Sequence, residues 1–221
     1  MKRIIIKFNL LLLATILFAY LKQDKSLEEA SKPKSLAEEL GIVENDYRLI
    51  LANIDNSIDD YMPDLVEVEN GRKFDVRAAE ALKSFIGAAR DEGLKVFLSS
   101  TFRGRYSQKI LYDKKVEQYG EEEAKTIVLP PGTSEHQTGL SADITDIYYA
   151  FKTRHIENTE TFKWLNEHCQ DYGFILRYPK DKESITKVIY EPWHFRYVGV
   201  EVAKYIKEHD LCFEEFLDLL K

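Results

Sequence analysis

Asp143 is the residue that most restricts how this chain folds. Its neighbours Leu140, Ala142 and Ile144 mark a strand that runs through a core, and an unpaired carboxylate buried there is costly. Any fold containing this strand must therefore bring a cation, a metal or strong donors to Asp143. Glu191 makes the same demand from within the aromatic stretch Tyr190-Glu191-Pro192-Trp193-His194, because acids are seldom buried without a charged or metallic partner. The chain has the material for such a core: 221 residues, 44% hydrophobic and 12% aromatic. Its charged residues, 31% of the total and mixed in sign, exclude wholesale disorder and a polytopic membrane protein.

The N-terminus reads as a targeting segment. Lys2, Arg3 and Lys7 precede the run Phe8–Leu21, broken only by Asn9. No A-x-A cleavage site follows, so residues 1–21 are expected to be a signal peptide or, preferably, an N-terminal membrane anchor. That places the body outside the cytoplasm, at the outer face of the membrane or in the cell wall. Residues 22–45 are charged, carry Pro33 and read as a spacer, leaving 46–221 as one domain. The formal charge is −7, and setting aside the three cations of residues 1–21 leaves −10 for the rest. An acidic body is a poor partner for nucleic acid, which needs a basic face. Cys169 and Cys212 are too few for a disulfide scaffold and are expected to be two separate core thiols. A monomer is expected.

Periodicity predicts α+β architecture with a central antiparallel sheet flanked by helices. Ala78, Leu82, Phe85, Ile86 and Ala89 recur at helical spacing, with Asp75 placed to cap and Gly93 at the C′ position. Leu94–Ser99 reads as a buried strand leading into a loop through Arg103, and a polar helix follows from Arg105 to Tyr119. Asn158 is placed to cap a helix with Phe162, Leu165, Cys169 and Tyr172 on its apolar face. Tyr47–Asn53 reads as a strand, and Phe174–Tyr178 with Lys187–Tyr190 as a hairpin. Two short helices, Gly199–His209 and Phe213–Leu220, close the chain.

Two places concentrate chemistry. In Ser134-Glu135-His136-Gln137-Thr138-Gly139-Leu140-Ser141-Ala142-Asp143, an imidazole and a carboxylate lie seven apart around a glycine, which suits a loop running into a strand. The other is Glu191 with His194. A lone histidine beside a strand is ordinarily a satisfied polar residue, but two with an acid give zinc three protein ligands and leave the fourth position to water, the pattern of a catalytic site. Glu191 is then placed to act as base. Its odd spacing from His194 is workable because Pro192 interrupts the strand. His155, His168 and His209 lack such context and read as structural.

The motif Ser134-x-His136-x-x-Gly139-x-Ser141-x-Asp143, together with Glu191-x-Trp193-His194, resembles the zinc D-alanyl-D-alanine carboxypeptidases of the VanY type. Their wider superfamily includes lysostaphin-like peptidases and the hedgehog N-terminal domain. The likeness runs from about Leu49 to Leu217 and takes in Ile175-Leu176-Arg177-Tyr178-Pro179 and Phe195-Arg196-Tyr197-Val198-Gly199. It implies one zinc ion on His136, Asp143 and His194, with Glu191 as catalytic acid and base. The segment Ser100-Thr101-Phe102-Arg103-Gly104-Arg105-Tyr106-Ser107-Gln108 matches the family's S-x-Y-R-S-Y-x-x-Q at Ser100, Arg103 and Gln108. It departs at Phe102 and Gly104-Arg105, and Ser141 replaces the usual alanine.

By that match Arg103 is the substrate-side cation, holding either the terminal carboxylate or the developing oxyanion, and Gln108 belongs to the substrate site. Ser134 either orients substrate or caps its turn. The implied activity is removal of the terminal D-Ala from peptidoglycan stem peptides. The alternatives are an L,D-carboxypeptidase acting on tetrapeptide stems, a dipeptidase, a non-catalytic zinc-bound binding module or a membrane-tethered interaction domain. An intact Glu191 argues against the binding module.

Overall fold

The computed structural model describes residues 33–59 and 61–221. The expected targeting segment and the first part of the spacer lie outside them. No helix among the described residues is long and apolar enough to cross a membrane. Contacts divide the chain into residues 1–39 and 40–221. In the first unit, Leu36–Glu39 forms a single helical turn. It is capped reciprocally: Ser35 N–H donates to Glu38 Oε2 and Glu38 N–H to Ser35 Oγ.

The second unit is the expected α+β domain. A short antiparallel ribbon, β1 (Leu65–Glu69) and β2 (Arg72–Asp75), leads to helix α1 (Ala79–Asp91). Strand β3 (Val96–Ser100) follows, then helices α2 (Arg105–Tyr119) and α3 (Glu121–Ile127) and strand β4 (Ser141–Asp146). Helix α4 (Glu160–His168), strands β5 (Phe174–Leu176) and β6 (His194–Tyr197), and helices α5 (Val200–Glu208) and α6 (Phe213–Leu219) complete it. The main sheet has the order β3-β4-β6-β5, antiparallel throughout.

Strand alternation sorts the side chains of this sheet into two unlike faces. Ala142 and Ile144 of β4, Phe195 of β6 and Phe174 of β5 join one apolar core with Leu82, Phe85, Ile86 and Ala89 of α1. Phe85 is its hub, stacked on Phe174 at 5.2 Å and edge-on to Phe195 at 5.6 Å between ring centroids. The other positions, Ser141, Asp143 and Thr145 of β4 with His194 and Arg196 of β6, are polar and equally buried.

On that polar face Glu135 accepts from Arg177 Nε at 2.7 Å and from Arg196 Nη1 at 2.8 Å. Arg177 turns its other two nitrogens to Glu214 at 2.8 and 2.6 Å. The guanidiniums of Arg177 and Arg196 lie 5.3 and 5.0 Å from the ring centroid of Phe213 in α6. Burial alone would raise the pKa of Glu135, but the two arginines outweigh it and hold the group far below the usual carboxylate range.

Several elements differ from expectation. Tyr47–Asn53 is not a strand. Asp46 accepts from Arg48 N–H and starts a 3₁₀ turn at Tyr47–Leu49, while the carbonyls of Arg48 and Ile50 accept from Arg196 Nη2. Groups that would have joined a ladder are taken by a side chain. The hairpin at Lys187–Tyr190 is also absent. Glu183–Thr186 is a helical turn ended by left-handed Lys187, and β5 pairs instead with β6.

Both expected caps shift. Asp75 accepts from Arg77 N–H before α1 rather than capping its first turn, and Thr159, not Asn158, accepts from Phe162 N–H. Gly93, at φ +82°, ends the α1 region as anticipated. Cys169 and Cys212 are free, buried thiols.

Two outcomes follow from this packing. Gly173 (φ +80°) ends the turn after α4, and a Cβ there would sit 3.1 Å from Gly199 Cα; Gly93 shares that backbone conformation with nothing within 4 Å. Gly93→Ala should cost about 1–2 kcal/mol from the left-handed backbone alone, and Gly173→Ala clearly more, compared by urea denaturation. Glu135→Gln removes the charge that Arg177 and Arg196 share, so it should cost about 3–5 kcal/mol. The same change at exposed Glu122, paired with Lys125, should leave the midpoint in place.

Candidate metal centre and substrate cavity

Asp143 and His194 are direct cross-strand partners on β4 and β6, so their side chains leave the same face of the sheet side by side. His136 comes from the 3₁₀ turn Glu135–Thr138, which Gly139 closes in the left-handed conformation at φ +72°. A Cβ at Gly139 would meet Asp75 N at 3.2 Å, so the turn needs glycine twice over. This turn delivers His136 to the mouth of β4.

The result is a compact donor set. His136 Nε2 lies 3.2 Å from Asp143 Oδ2, and His194 Nδ1 lies 3.2 Å from Asp143 Oδ1. One ligand atom from each residue falls within 4.8 Å of the others, and all three residues are buried. Donors of a tetrahedral zinc site with arms of about 2.0–2.1 Å stand roughly 3.3 Å apart, so the spacing suits such an ion. Asp143 Oδ1 is buried with no aligned hydrogen-bond partner, an orphan lone pair of the kind a metal satisfies.

Each imidazole is oriented from behind. The Thr101 carbonyl can only accept, so His136 Nδ1 carries the proton of their 2.7 Å bond and Nε2 is left with its lone pair free for a cation beside Asp143. Arg103 N–H donates to the His136 carbonyl at 3.0 Å, tying the Arg103 loop to the same turn. His194 Nε2 faces Glu135 Oε2 at 3.6 Å, which leaves Nδ1 towards Asp143 and Glu191.

The electrostatics separate the two rings. Burial, then the nearby Arg103 charge, lowers His136 to about 4, so it is neutral at physiological pH. Burial would lower His194 too, but Asp143, Glu135 and Glu191 outweigh it and raise the ring to about 10. These carboxylates favour positive charge at that point of the site. Burial opposes the ionised form of Asp143 as well, and Lys152 and His136 hold it well below the usual range.

Glu191 reaches the site through a turn. His194 N–H donates back to the Glu191 carbonyl at 3.2 Å across Pro192-Trp193, and Glu191 Oε2 lies 3.4 Å from His194 Nδ1. The expected bend is present. Donors and carboxylates open onto a cavity of about 330 Å³ that Arg103, Ser134, Lys152, Tyr178, Trp193 and Val188 also line.

Arg103 is half-buried; burial lowers its pKa against the raising influence of Asp143 and Glu191. Its Nε donates to Gln108 Oε1 at 2.5 Å, and Gln108 Nε2 donates to the Leu129 carbonyl at 2.5 Å. Gln108 does not line the cavity; it holds Arg103 from behind. Ser134 does line it and makes no side-chain capping bond.

Sequence reasoning passed over Glu135, Arg177, Arg196 and Lys152. The first three carried a usable signal. Arg177 and Arg196 each sit among apolar and aromatic residues, as Asp143 does, and so needed a buried counter-charge. Lys152, whose ammonium pairs with Asp143, follows the exposed stretch Ile147–Phe151 and carries no such mark.

The comparisons agree with this geometry. Residues 71–200 match the VanY family, described as D-alanyl-D-alanine carboxypeptidase. A D-alanyl-D-alanine carboxypeptidase of Enterococcus faecalis is 39% identical over 188 residues, covering 80% of this chain and 68% of that protein. Among solved structures, the LdcB LD-carboxypeptidase superposes with a TM-score of 0.72 at 39% identity, covering 81% of this chain and 90% of that one. A vancomycin-resistance D,D-pentapeptidase VanY, solved with Zn(II), gives 0.71 at 38%, covering 78% and 99%. The chain belongs to the VanY D-alanyl-D-alanine carboxypeptidase family and is a peptidase.

Proposed function

We propose that this chain is a zinc-dependent D,D-carboxypeptidase that removes the terminal D-Ala of peptidoglycan stem peptides. The observation that carries the reading is the buried His136–Asp143–His194 donor set with the unpartnered Asp143 Oδ1, open to a cavity that also holds Glu191 and Arg103. Zinc held by His136, Asp143 and His194 would supply a Lewis acid and lower the pKa of a water to about 7.

The remaining work falls to the protein. Glu191, 3.4 Å from His194 Nδ1, takes the proton of the attacking water on its carboxylate and returns it to the leaving amine. Arg103, held by Gln108, offers its planar fork to the scissile end, to the terminal carboxylate or the developing oxyanion. Ser134 lines the same end and orients the chain. Tyr178 and Trp193 form wall and limit water. The N-terminal segment would export the domain and tether it at the outer membrane face, where stem peptides are exposed.

An L,D-carboxypeptidase acting on tetrapeptide stems is the second reading, favoured by the likeness to LdcB. The two separate on one measurement: the amino acid released by the purified chain from pentapeptide and tetrapeptide stems, with and without chelator. D-Ala from the pentapeptide supports the first reading, and D-Ala from the tetrapeptide alone supports the second. Release indifferent to chelation removes the metal from both.

Two outcomes are expected of the site itself. The wild-type chain should carry close to one zinc by elemental analysis, and Asp143→Ala should lose it while remaining folded by circular dichroism, since a core of this size does not need a metal staple. Glu191→Gln should keep its zinc and lose turnover by about 10²-fold or more, the scale of a general acid–base contribution; turnover near wild type would shift the role to another carboxylate.

A further inference from the structure

The cavity extends beyond the chemistry described above. Its far wall is apolar, built from Leu111 of α2, Ile127 and Val128 after α3, and Val188 and Ile189, with one charged group among them, Lys115. Among the described residues the acids lining the cavity are Asp143 and Glu191, both at the metal end. Lys115 is partly exposed and, among the described residues, pairs with no carboxylate. Its Nζ donates to Gln118 Oε1 at 3.3 Å and lies 5.0 Å from the Tyr119 ring centroid. An apolar wall carrying a single uncompensated cation suits an anionic group brought in by substrate.

Helix geometry gives the distance. Gln108, Leu111 and Lys115 stand three and four residues apart and so share one face of α2. Gln108 holds Arg103, which marks the scissile end. Seven residues at about 1.5 Å each set Lys115 roughly 10 Å further along the helix. An extended peptide covers about 3.3–3.6 Å per residue, so the same span is about three residues of substrate.

We propose that Lys115 selects substrates bearing a free carboxylate about three residues before their C-terminus. This rests on the reading that the cavity takes peptide chain ends. The chemical class is an acylated D-Ala-D-Ala peptide whose upstream acidic residue is unamidated, and amidation of that acid would weaken recognition.

The test uses the zinc-loaded full chain and two synthetic peptides ending in Nε-acetyl-lysyl-D-Ala-D-Ala. They are preceded by a γ-linked D-glutamyl residue with its α-carboxylate either free or amidated. The wild type should prefer the free acid in kcat/KM by about fivefold at low salt, the scale of one partly exposed ion pair. The preference should shrink towards unity in 1 M salt, where charges are screened within about 3 Å. Lys115→Met should abolish it and Lys115→Glu should invert it. Equal cleavage of both peptides by the wild type, or a preference that survives Lys115→Glu, overturns the assignment of Lys115. Cleavage of neither peptide overturns the D,D-carboxypeptidase reading, and the proposal with it.

Discussion

The buried clamp of Glu135 between Arg177 and Arg196 is the interaction on which the site's geometry depends. It joins three distant parts of the chain, the turn that carries His136, the end of β5 and the strand that carries His194. Glu135 precedes His136 directly, and Arg196 follows His194 by two residues on the same face of β6, so the clamp positions both imidazoles at once. Replacing a buried ion network by apolar residues is often neutral or stabilising, and stability alone therefore does not account for it. Its evident effect is on register. A slip of β6 by one residue would send His194 and Arg196 into the Phe85 core and bring Phe195 to the polar face.

The second constraint is that one sheet serves two incompatible environments. The Phe85, Phe174 and Phe195 rings fill one face, while the opposite face holds Glu135, Asp143, His194, Arg177 and Arg196, all buried. Polar groups withdrawn from water need partners, and helix α6 provides two. Glu214 closes on Arg177, and Phe213 lies against both guanidiniums. This explains why a short C-terminal helix, remote in sequence from either histidine, is part of what holds the metal donors in place.

What could be read beforehand divides along the same line. The demand of Asp143 for a partner, the histidines that meet it and the bend at Pro192 were all legible, because each follows from residue type in a local pattern. Helices α1 and α2 were equally visible, from the spacing of Leu82, Phe85, Ile86 and Ala89 and from the polar run after Gly104. The errors came where a long-range side chain decided the outcome. Nothing near Tyr47–Asn53 shows that Arg196, some 146 residues away from Ile50, takes its carbonyls. Likewise the apolar run Val188–Tyr190 has strand-like composition, but Val188 and Ile189 line the cavity and Val188 packs with Tyr178 and Leu129. Gln108 was legible as a position of the site, but its bonds to Arg103 and the Leu129 carbonyl were not, since a sequence match identifies a residue without showing which way its amide points.

The charge distribution links the fold to the kind of molecule it receives. The chain is acidic overall, yet its cavity is lined by Arg103, Lys115 and Lys152 against only Asp143 and Glu191, and a bound divalent cation would add to that excess. A basic cleft in an acidic body focuses field lines into its mouth and draws anions inward while the surrounding surface repels them. A peptide chain end is an anion. Its carboxylate would be attracted only within about 8–10 Å of the mouth at physiological salt, beyond which screening prevails. The acidic exterior therefore limits non-specific adhesion to other anionic polymers, and the cavity's cations act where orientation is decided, with Arg103 at the scissile end and Lys115 some turns of helix away.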